Sequence, residues 1–222
     1  MISEEQLEKG IRILIVDDHP VVRQGLKGML ELDPRFRVAQ EAGGVSEAMK
    51  IIQEEAPDFA IFDITLGKGS GLELIKDVRA FDYEFPILVM SMHEESLYAE
   101  RVLKAGGNGY IMKKELSNNL VTAIERLCKG KIYVSQDMHD VFLEKAAGIQ
   151  ETRGGIHLLS DRELEVFQQL GSGQTTRQIA ENLHLSVKTI ETYRAHIKDK
   201  LGLKNAAELV TTAARWMEQS EG

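Results

Sequence analysis

The 222 residues predict an α/β unit on a doubly wound, parallel five-stranded sheet, followed by a small all-α unit. Three observations lead there. Short apolar runs alternate five times with stretches of helical period, as in a chain that crosses repeatedly over one sheet. Those runs are nearly unbroken in apolar character, as strands covered on both faces are. From Leu158 onward the strand pattern stops and only helical periods remain.

Ile11–Val16 (IRILIV) opens as a strand interrupted only by Arg12. Val21–Leu32 sets Val22, Leu26, Met29 and Leu30 at helical spacing, and Phe36–Ala42 returns to strand. Val45–Ala56 is helical, with Ala48, Ile51 and Ile52 on one face. Phe59–Ile64 is the third strand and Leu72–Ala80 the next helix. Pro86–Met90 (PILVM) and Glu94–Ala105 form the fourth pair, Gly109–Met112 and Leu116–Cys128 the fifth. A further helix is expected over Gln136–Ala147. Gly148–Gly155, with three glycines among polar residues, reads as a linker. The division is thus 11–130, a connecting segment with a helix over 131–157, and a second domain over 158–222.

Four helices are expected in the second domain: Asp161–Leu170, Thr176–Leu183, Val187–Leu201 and Ala206–Met217. Ser160 with Glu163 makes a capping box for the first. Thr175 and Ser186 cap the next two, and Asn205 with Glu208 opens the last.

The formal net charge of -8 argues against a chain that coats nucleic acid or an anionic membrane, while leaving room for a local DNA-reading surface. The single cysteine, Cys128, excludes an intramolecular disulfide and fits a reducing compartment, with its side chain on an apolar helix face. No stretch approaches the roughly 20 apolar residues of a membrane span. The acidic opening MISEEQLEKG is unlike a secretory signal, so a cytoplasmic protein is expected.

Asp17 and Asp18 follow the first strand and Asp63 ends the third. In an open α/β sheet those strand ends line the ligand crevice. Carboxylates converging there repel one another, and a divalent cation relieves the repulsion. Mg²⁺ suits the set, because it takes oxygen ligands and binds beside phosphate. Ser91 and Lys113 follow the fourth and fifth strands, a hydroxyl and an ammonium suited to phosphoryl oxygens. Asp63 is then the nucleophile, giving an aspartyl phosphate. A single acid at a strand end is more often a solvated turn or a cap. The full set at four strand ends is a far rarer coincidence.

These residues stand in segments that resemble a receiver domain. IVDDHP resembles its acidic pair, and FDITLGKGSGLEL its phosphoacceptor segment, with Gly71 at the usual glycine. MSMHE and GYIMKKEL resemble its two switch segments, with Ser91 and Tyr110 at the switch positions and Lys113 at the lysine. The resemblance covers about residues 11–130. It implies a flavodoxin-like sheet of order 2-1-3-4-5 and a phosphoryl group taken from a sensor histidine kinase. It also implies Asp63, Ser91 and Lys113 as catalytic groups and Mg²⁺ held by Asp17, Asp18, Asp63 and Thr65. Three positions depart from the usual pattern. Gly67 replaces a common proline and is expected to loosen its loop. Lys114 replaces a proline, which makes a cis bond there less favoured. Met92 replaces a small residue and is expected to crowd the phosphoryl entrance. Thr65 and His93 occupy the variable positions that flank the phosphoryl group and tune its hydrolysis.

The segment from Leu159 to Val210 resembles a LuxR-type helix-turn-helix over nearly its full length, with Ser160-x-Arg162-Glu163, Gly173, Ile179-Ala180, Thr189-Ile190 and Lys200-Leu201-Gly202 in order. Together the two resemblances imply a NarL/FixJ-type response regulator. Ile179, Ala180 and Leu183 are expected to bury the support helix, and Val187, Ile190, Ile197 and Leu201 the recognition helix. The DNA-binding set is Lys188, Thr189, Glu191, Thr192, Arg194, Ala195, Lys198 and Lys200. Within it, Glu191, Thr192 and Ala195 face base edges, and Lys188, Arg194, Lys198 and Lys200 meet phosphates. Thr189 caps or packs. Glu191, where a basic residue is common, points to a distinctive operator or to weak binding until the chain dimerises. The last helix, with Leu209, Val210, Ala213, Ala214 and Met217, serves intradomain packing, a dimer face or both. Trp216 packs or anchors a dimer. The histidines show no metal-ligand spacing.

The expected partners are the kinase, double-stranded DNA and, on phosphorylation, a second copy of the chain, with no membrane. Two other classes fit less well. An aspartate-nucleophile phosphatase needs Asp-x-Asp after its first strand, whereas this chain has Asp17-Asp18-His19. A helical domain that binds protein instead of DNA lacks the ordered motif found here.

Overall fold

The computed structural model describes residues 10–67, 69–148, 155–183 and 185–220. The chain divides into two compact units, one ending at Phe142 and the other beginning at Leu143.

In the first unit, β1 (Ile11–Val16), β2 (Phe36–Ala42), β3 (Phe59–Asp63), β6 (Ile87–Ser91) and β7 (Gly109–Met112) form one sheet of order β2-β1-β3-β6-β7. Every pairing in it is parallel. The intervening helices are α1 (Pro20–Leu30), α2 (Val45–Glu54), α3 (Gly71–Ala80), α4 (Glu95–Ala105) and α5 (Leu116–Cys128). Side chains alternate across each strand. Ile11, Ile13 and Ile15 therefore join Phe59, Ile61, Leu88, Met90 and Ile111 in one core with Leu26 and Leu30 of α1 and Leu120, Ile124 and Leu127 of α5. Leu14, Val16, Phe62 and Val89 point the other way and are equally buried. Two covered faces explain why these strands read as continuous apolar runs.

In the first unit the structure corrects the expectations at two points. A small antiparallel hairpin, β4 (Thr65–Leu66) with β5 (Gly69–Ser70), stands between β3 and α3, where no strand was expected. Gly67, between the two strands, donates its N–H to Asp18 Oδ2 at 3.1 Å. Met92 is 71 % exposed, at the solvent side of the strand end that carries Ser91. The first unit also runs past residue 130. Tyr133 forms a parallel bridge with Gly109, Val134 and Met138 are buried, and α6 (Gln136–Ala146) follows directly. Most of the expected linker, residues 149–154, lies outside the described residues, as does His184.

The second unit contains α7 (Asp161–Gly171), α8 (Thr176–Asn182), α9 (Val187–Leu201) and α10 (Ala206–Ser220). Capping boxes at Ser160/Glu163 and Thr175/Gln178 start α7 and α8. Ser186 Oγ accepts from Thr189 N to start α9, and Asn205 Oδ1 accepts from Glu208 N to start α10. Gly202, in the left-handed region at φ 66°, ends α9. The core is Leu164, Val166, Phe167, Leu170, Ile179, Ile190, Ile197, Leu209 and Ala213. Trp216 packs its ring 5.7 Å from that of Phe167, within the unit. Val187, expected on the inward face, is 49 % exposed: it occupies the first turn of α9, beyond the reach of the core.

Candidate phosphoacceptor site and nucleic-acid interface

The parallel register brings the ends of β1, β3, β6 and β7 to one edge of the sheet. Asp17, Asp63 and Ser91 are buried there. Lys113, one residue past β7, reaches back so that its Nζ lies 2.8 Å from Asp17 Oδ2 and 2.8 Å from Asp63 Oδ2. Burial alone would lower the Lys113 pKa, but its bonds to Asp17 and Asp63 override that and raise it, so the ammonium is firmly charged. Burial pushes Asp63 up to about 6 against the opposing pull of Lys113, with the Asp17 charge adding to the rise.

The ligand atoms of Asp17, Asp18, His19 and Asp63 all lie within 4.8 Å of one another. Asp18 Oδ1 is buried and makes no hydrogen bond, with His19 Nδ1 2.8 Å away. An orphaned carboxylate oxygen among acids fits a hard divalent cation. The sequence reading did not include His19, whose N–H and Nδ1 lie 2.7 Å and 3.1 Å from Asp17 Oδ1. Its position directly after the acid pair was the available signal. Behind the site, Arg23 donates to the Asp17 carbonyl at 2.6 Å and to Glu41 at 3.2 Å, which fixes the turn carrying the acid pair.

Thr65 stands two residues past Asp63. Its N–H bonds the Asp63 carboxylate, and its exposed Oγ1 lies 3.4 Å from His93 Nε2. The His93 ring stacks on Tyr98 at 5.3 Å. Burial, with the nearby Lys113 charge, lowers its pKa, so the imidazole is neutral at ordinary pH. Ser91 and Tyr110 meet at the His93 backbone: Ser91 Oγ accepts from its N–H at 3.0 Å, and the buried Tyr110 hydroxyl donates to its carbonyl at 2.7 Å.

On α9, Lys188, Glu191, Thr192 and Ala195 are exposed, and their spacing places them on one face. Thr189 is engaged at the cap, its hydroxyl 2.7 Å from Ser186 Oγ. Arg194 turns toward the start of α8, donating to Thr176 Oγ1, with Glu191 at 3.8 Å. Lys198 is half-buried. Lys200, expected at a DNA phosphate, instead bonds the buried Glu163 at 2.6 Å.

The family model described as "Response regulator receiver domain" matches residues 13–125, and that described as "Bacterial regulatory proteins, luxR family" matches residues 157–213. The chain is 33 % identical over 211 residues to the oxygen regulatory protein NreC of Staphylococcus haemolyticus, covering 92 % of this chain and 97 % of that protein. A two-component response regulator of the LuxR family from Aurantimonas is 34 % identical, with a TM-score of 0.58, over 62 % of this chain and 99 % of its own. RcsB of Salmonella enterica serovar Typhimurium, solved bound to promoter P1flhDC with the phosphomimetic BeF3-, shares the fold. Its TM-score is 0.69 at 24 % identity, over 93 % of this chain and 99 % of its own. With a five-stranded parallel sheet carrying the acid cluster and a capped helix-turn-helix later in the sequence, the chain belongs to the NarL/FixJ-type response regulators, which join a receiver domain to a LuxR-type DNA-binding domain.

Proposed function

We propose that Asp63 accepts a phosphoryl group from a sensor histidine kinase and that the change controls dimerisation and DNA binding by the helix-turn-helix. The observation that carries this reading is the Lys113 ammonium held 2.8 Å from both Asp17 and Asp63, with Ser91 buried on the adjacent strand. That arrangement suits a nucleophilic carboxylate whose product is a dianionic tetrahedral phosphoryl group.

An Asp63 oxygen attacks phosphorus. The O–P bond of an acyl phosphate forms as the P–N bond of the donor phosphohistidine breaks, and its electron pair returns to the imidazole. Lys113 stabilises charge on the phosphoryl oxygens. The Ser91 hydroxyl turns from the His93 N–H to a phosphoryl oxygen, and the Tyr110 hydroxyl leaves the His93 carbonyl. Asp17, Asp18 and Asp63 with Thr65 would hold Mg²⁺, whose charge would offset that of the transferring group. Phosphoryl transfer to itself and its own dephosphorylation are the only reactions the receiver catalyses.

In the second domain, Glu191, Thr192 and Ala195 face base edges in a major groove while Lys188 and Lys198 meet phosphates. A phosphorylated homodimer then matches a two-fold related DNA site. The kinase contact and the DNA target both belong to the cytoplasm. Among the described residues no helix is long and apolar enough to cross a membrane.

The test is the intact mass after incubation with Mg²⁺ and a small phosphodonor, for wild type and Asp63→Ala, followed by a sizing column. One added phosphoryl group in the wild type alone, with a shift to dimer, is expected. Equal labelling of Asp63→Ala would move the acceptor elsewhere.

A further inference from the structure

Ser135 caps α6: its Oγ accepts from Met138 N at 3.2 Å and its carbonyl accepts from His139 N at 3.0 Å. A complete capping box also needs a carboxylate or amide at the third helical position, reaching back to the N–H of the capping residue. That position here is Met138, which cannot accept. The Ser135 N–H donates instead to Glu95 Oε1 at 2.8 Å, forty residues back in sequence and at the first position of α4. Burial raises the Glu95 pKa against the opposing pull of Ser135, so the carboxylate is desolvated for this contact.

The same short segment is tied to the switch by a second route. Tyr110 N donates to Tyr133 O at 2.9 Å, and Tyr133 N donates to Asn108 O at 3.1 Å. The approach is close enough that a Cβ on Gly109 would lie 2.9 Å from Tyr133 O. Tyr110 therefore reaches Tyr133–Ser135 from both ends. Its backbone N–H bonds Tyr133 directly, and its hydroxyl holds His93 O, two residues before Glu95. His93 N is held in turn by Ser91 Oγ.

We infer that Glu95 is a positioning residue that completes the α6 cap in trans and couples the Ser91–Tyr110 switch to the helix leading out of the receiver. When Ser91 leaves the His93 N–H and Tyr110 leaves its carbonyl, residues 93–95 lose both tethers. The Glu95 carboxylate moves off Ser135, and the first turn of α6 frays. The two-state element is thus a helix cap, and the signal is the loss or retention of one bond.

This inference rests on the proposed switch, and the experiment separates the two. Amide hydrogen exchange across Ser135–His139 is measured in the full chain, with and without Mg²⁺ and a small phosphodonor, for wild type, Glu95→Ala and Glu95→Gln. Intact mass is read on each sample. In the wild type, phosphorylation speeds exchange there by about fivefold, the factor a lost cap carries. Glu95→Ala takes up phosphate but exchanges at the faster rate in both states. Glu95→Gln, which keeps the acceptor, responds as the wild type does. Labelled wild type with unchanged exchange, or Glu95→Ala still responding in full, overturns the relay alone. Loss of the response in Glu95→Gln as well as Glu95→Ala overturns the acceptor role. No labelling of the wild type overturns the switch beneath it.

Discussion

The Lys200 ammonium lies 2.6 Å from Glu163 Oε2, joining the end of the recognition helix to the start of α7. Burial would raise the Glu163 pKa, but its bonds to Lys200 and Ser160 lower it overall. The carboxylate also accepts from Ser160 N at 2.7 Å, so one side chain serves both the capping box and the pair.

If Lys200 holds the helix in place and does not neutralise a DNA phosphate, Lys200→Gln should leave the salt dependence of DNA binding unchanged. Lys188→Gln should reduce the slope of log affinity against log salt by about 0.9, the share of one phosphate contact. Lys200→Gln should still lower the stability of the second domain, on the order of 1 kcal/mol, because Lys200 is 39 % exposed and solvent screens the pair. Filter binding across a salt series, with thermal melts of each variant, measures both. A reduced slope in Lys200→Gln would return it to the phosphate set. Glu163 also sets a pH dependence: a lowered carboxyl pKa contributes stability that is present above its ordinary value of 4.5 and lost as pH falls through the lower folded one.

Asp63 shifts in the opposite direction. With its pKa raised from an ordinary 3.8 to about 6, the cation-free folded chain prefers Asp63 protonated. The stability this contributes is present below the ordinary value and lost as pH rises through about 6. A cation must displace that proton, so Mg²⁺ affinity should fall about tenfold per pH unit below the folded pKa. Calorimetric titration between about pH 5 and pH 7, in buffers of different ionisation enthalpy, should show close to one proton released per ion at the acid end. Affinity that stays flat across this range would mean Asp63 is already ionised without the ion.

Gly71 is fixed by close approach. A Cβ there would lie 2.2 Å from the Asp63 carbonyl oxygen and 3.0 Å from Ile64 Cα, both backbone atoms that cannot swing aside. Gly71→Ala should therefore push the end of β3 away from α3 and destabilise the receiver by about 1–3 kcal/mol, as overpacking does. Phosphorylation should slow with it, because the displaced atoms belong to the acceptor. Urea unfolding followed by circular dichroism, with the labelling rate by intact mass, checks the pair of effects. Unchanged stability would show that the strand end can yield.

What could be read in advance was what depends on local sequence. The five strands, the helix faces and the caps at Ser160, Thr175, Ser186 and Asn205 involve residues within a few positions of one another, so their chemistry is visible in the string. The convergence of Asp17, Asp63 and Lys113 follows from parallel topology once the strands are known. The β4–β5 hairpin gave no signal, because two residues per strand cannot show a period and its anchor, Gly67 N to Asp18, spans 49 positions. The bonds from Lys200 to Glu163 and from Ser135 to Glu95 are equally non-local, and no spacing rule joins their partners. Val187 was misread because helical periodicity continues through a first turn that extends past the core.

His93 is neutral, stacked on Tyr98 and turned toward Thr65 Oγ1, while the Thr65 N–H holds the acceptor carboxylate. If the ring keeps these two contacts in the phosphorylated chain, it limits where a hydrolytic water can stand. Removing it in His93→Ala, or removing its partner in Thr65→Ala, should therefore speed loss of the phosphoryl group. The effect should be larger for His93→Ala, since Thr65→Ala leaves the stacking on Tyr98 in place. The decay of the phosphorylated species by intact mass, after removal of the donor, gives the rate. Slower decay in His93→Ala would instead make the neutral imidazole a base that activates the water. Unchanged decay in both variants would remove this pair from control of the phosphate altogether.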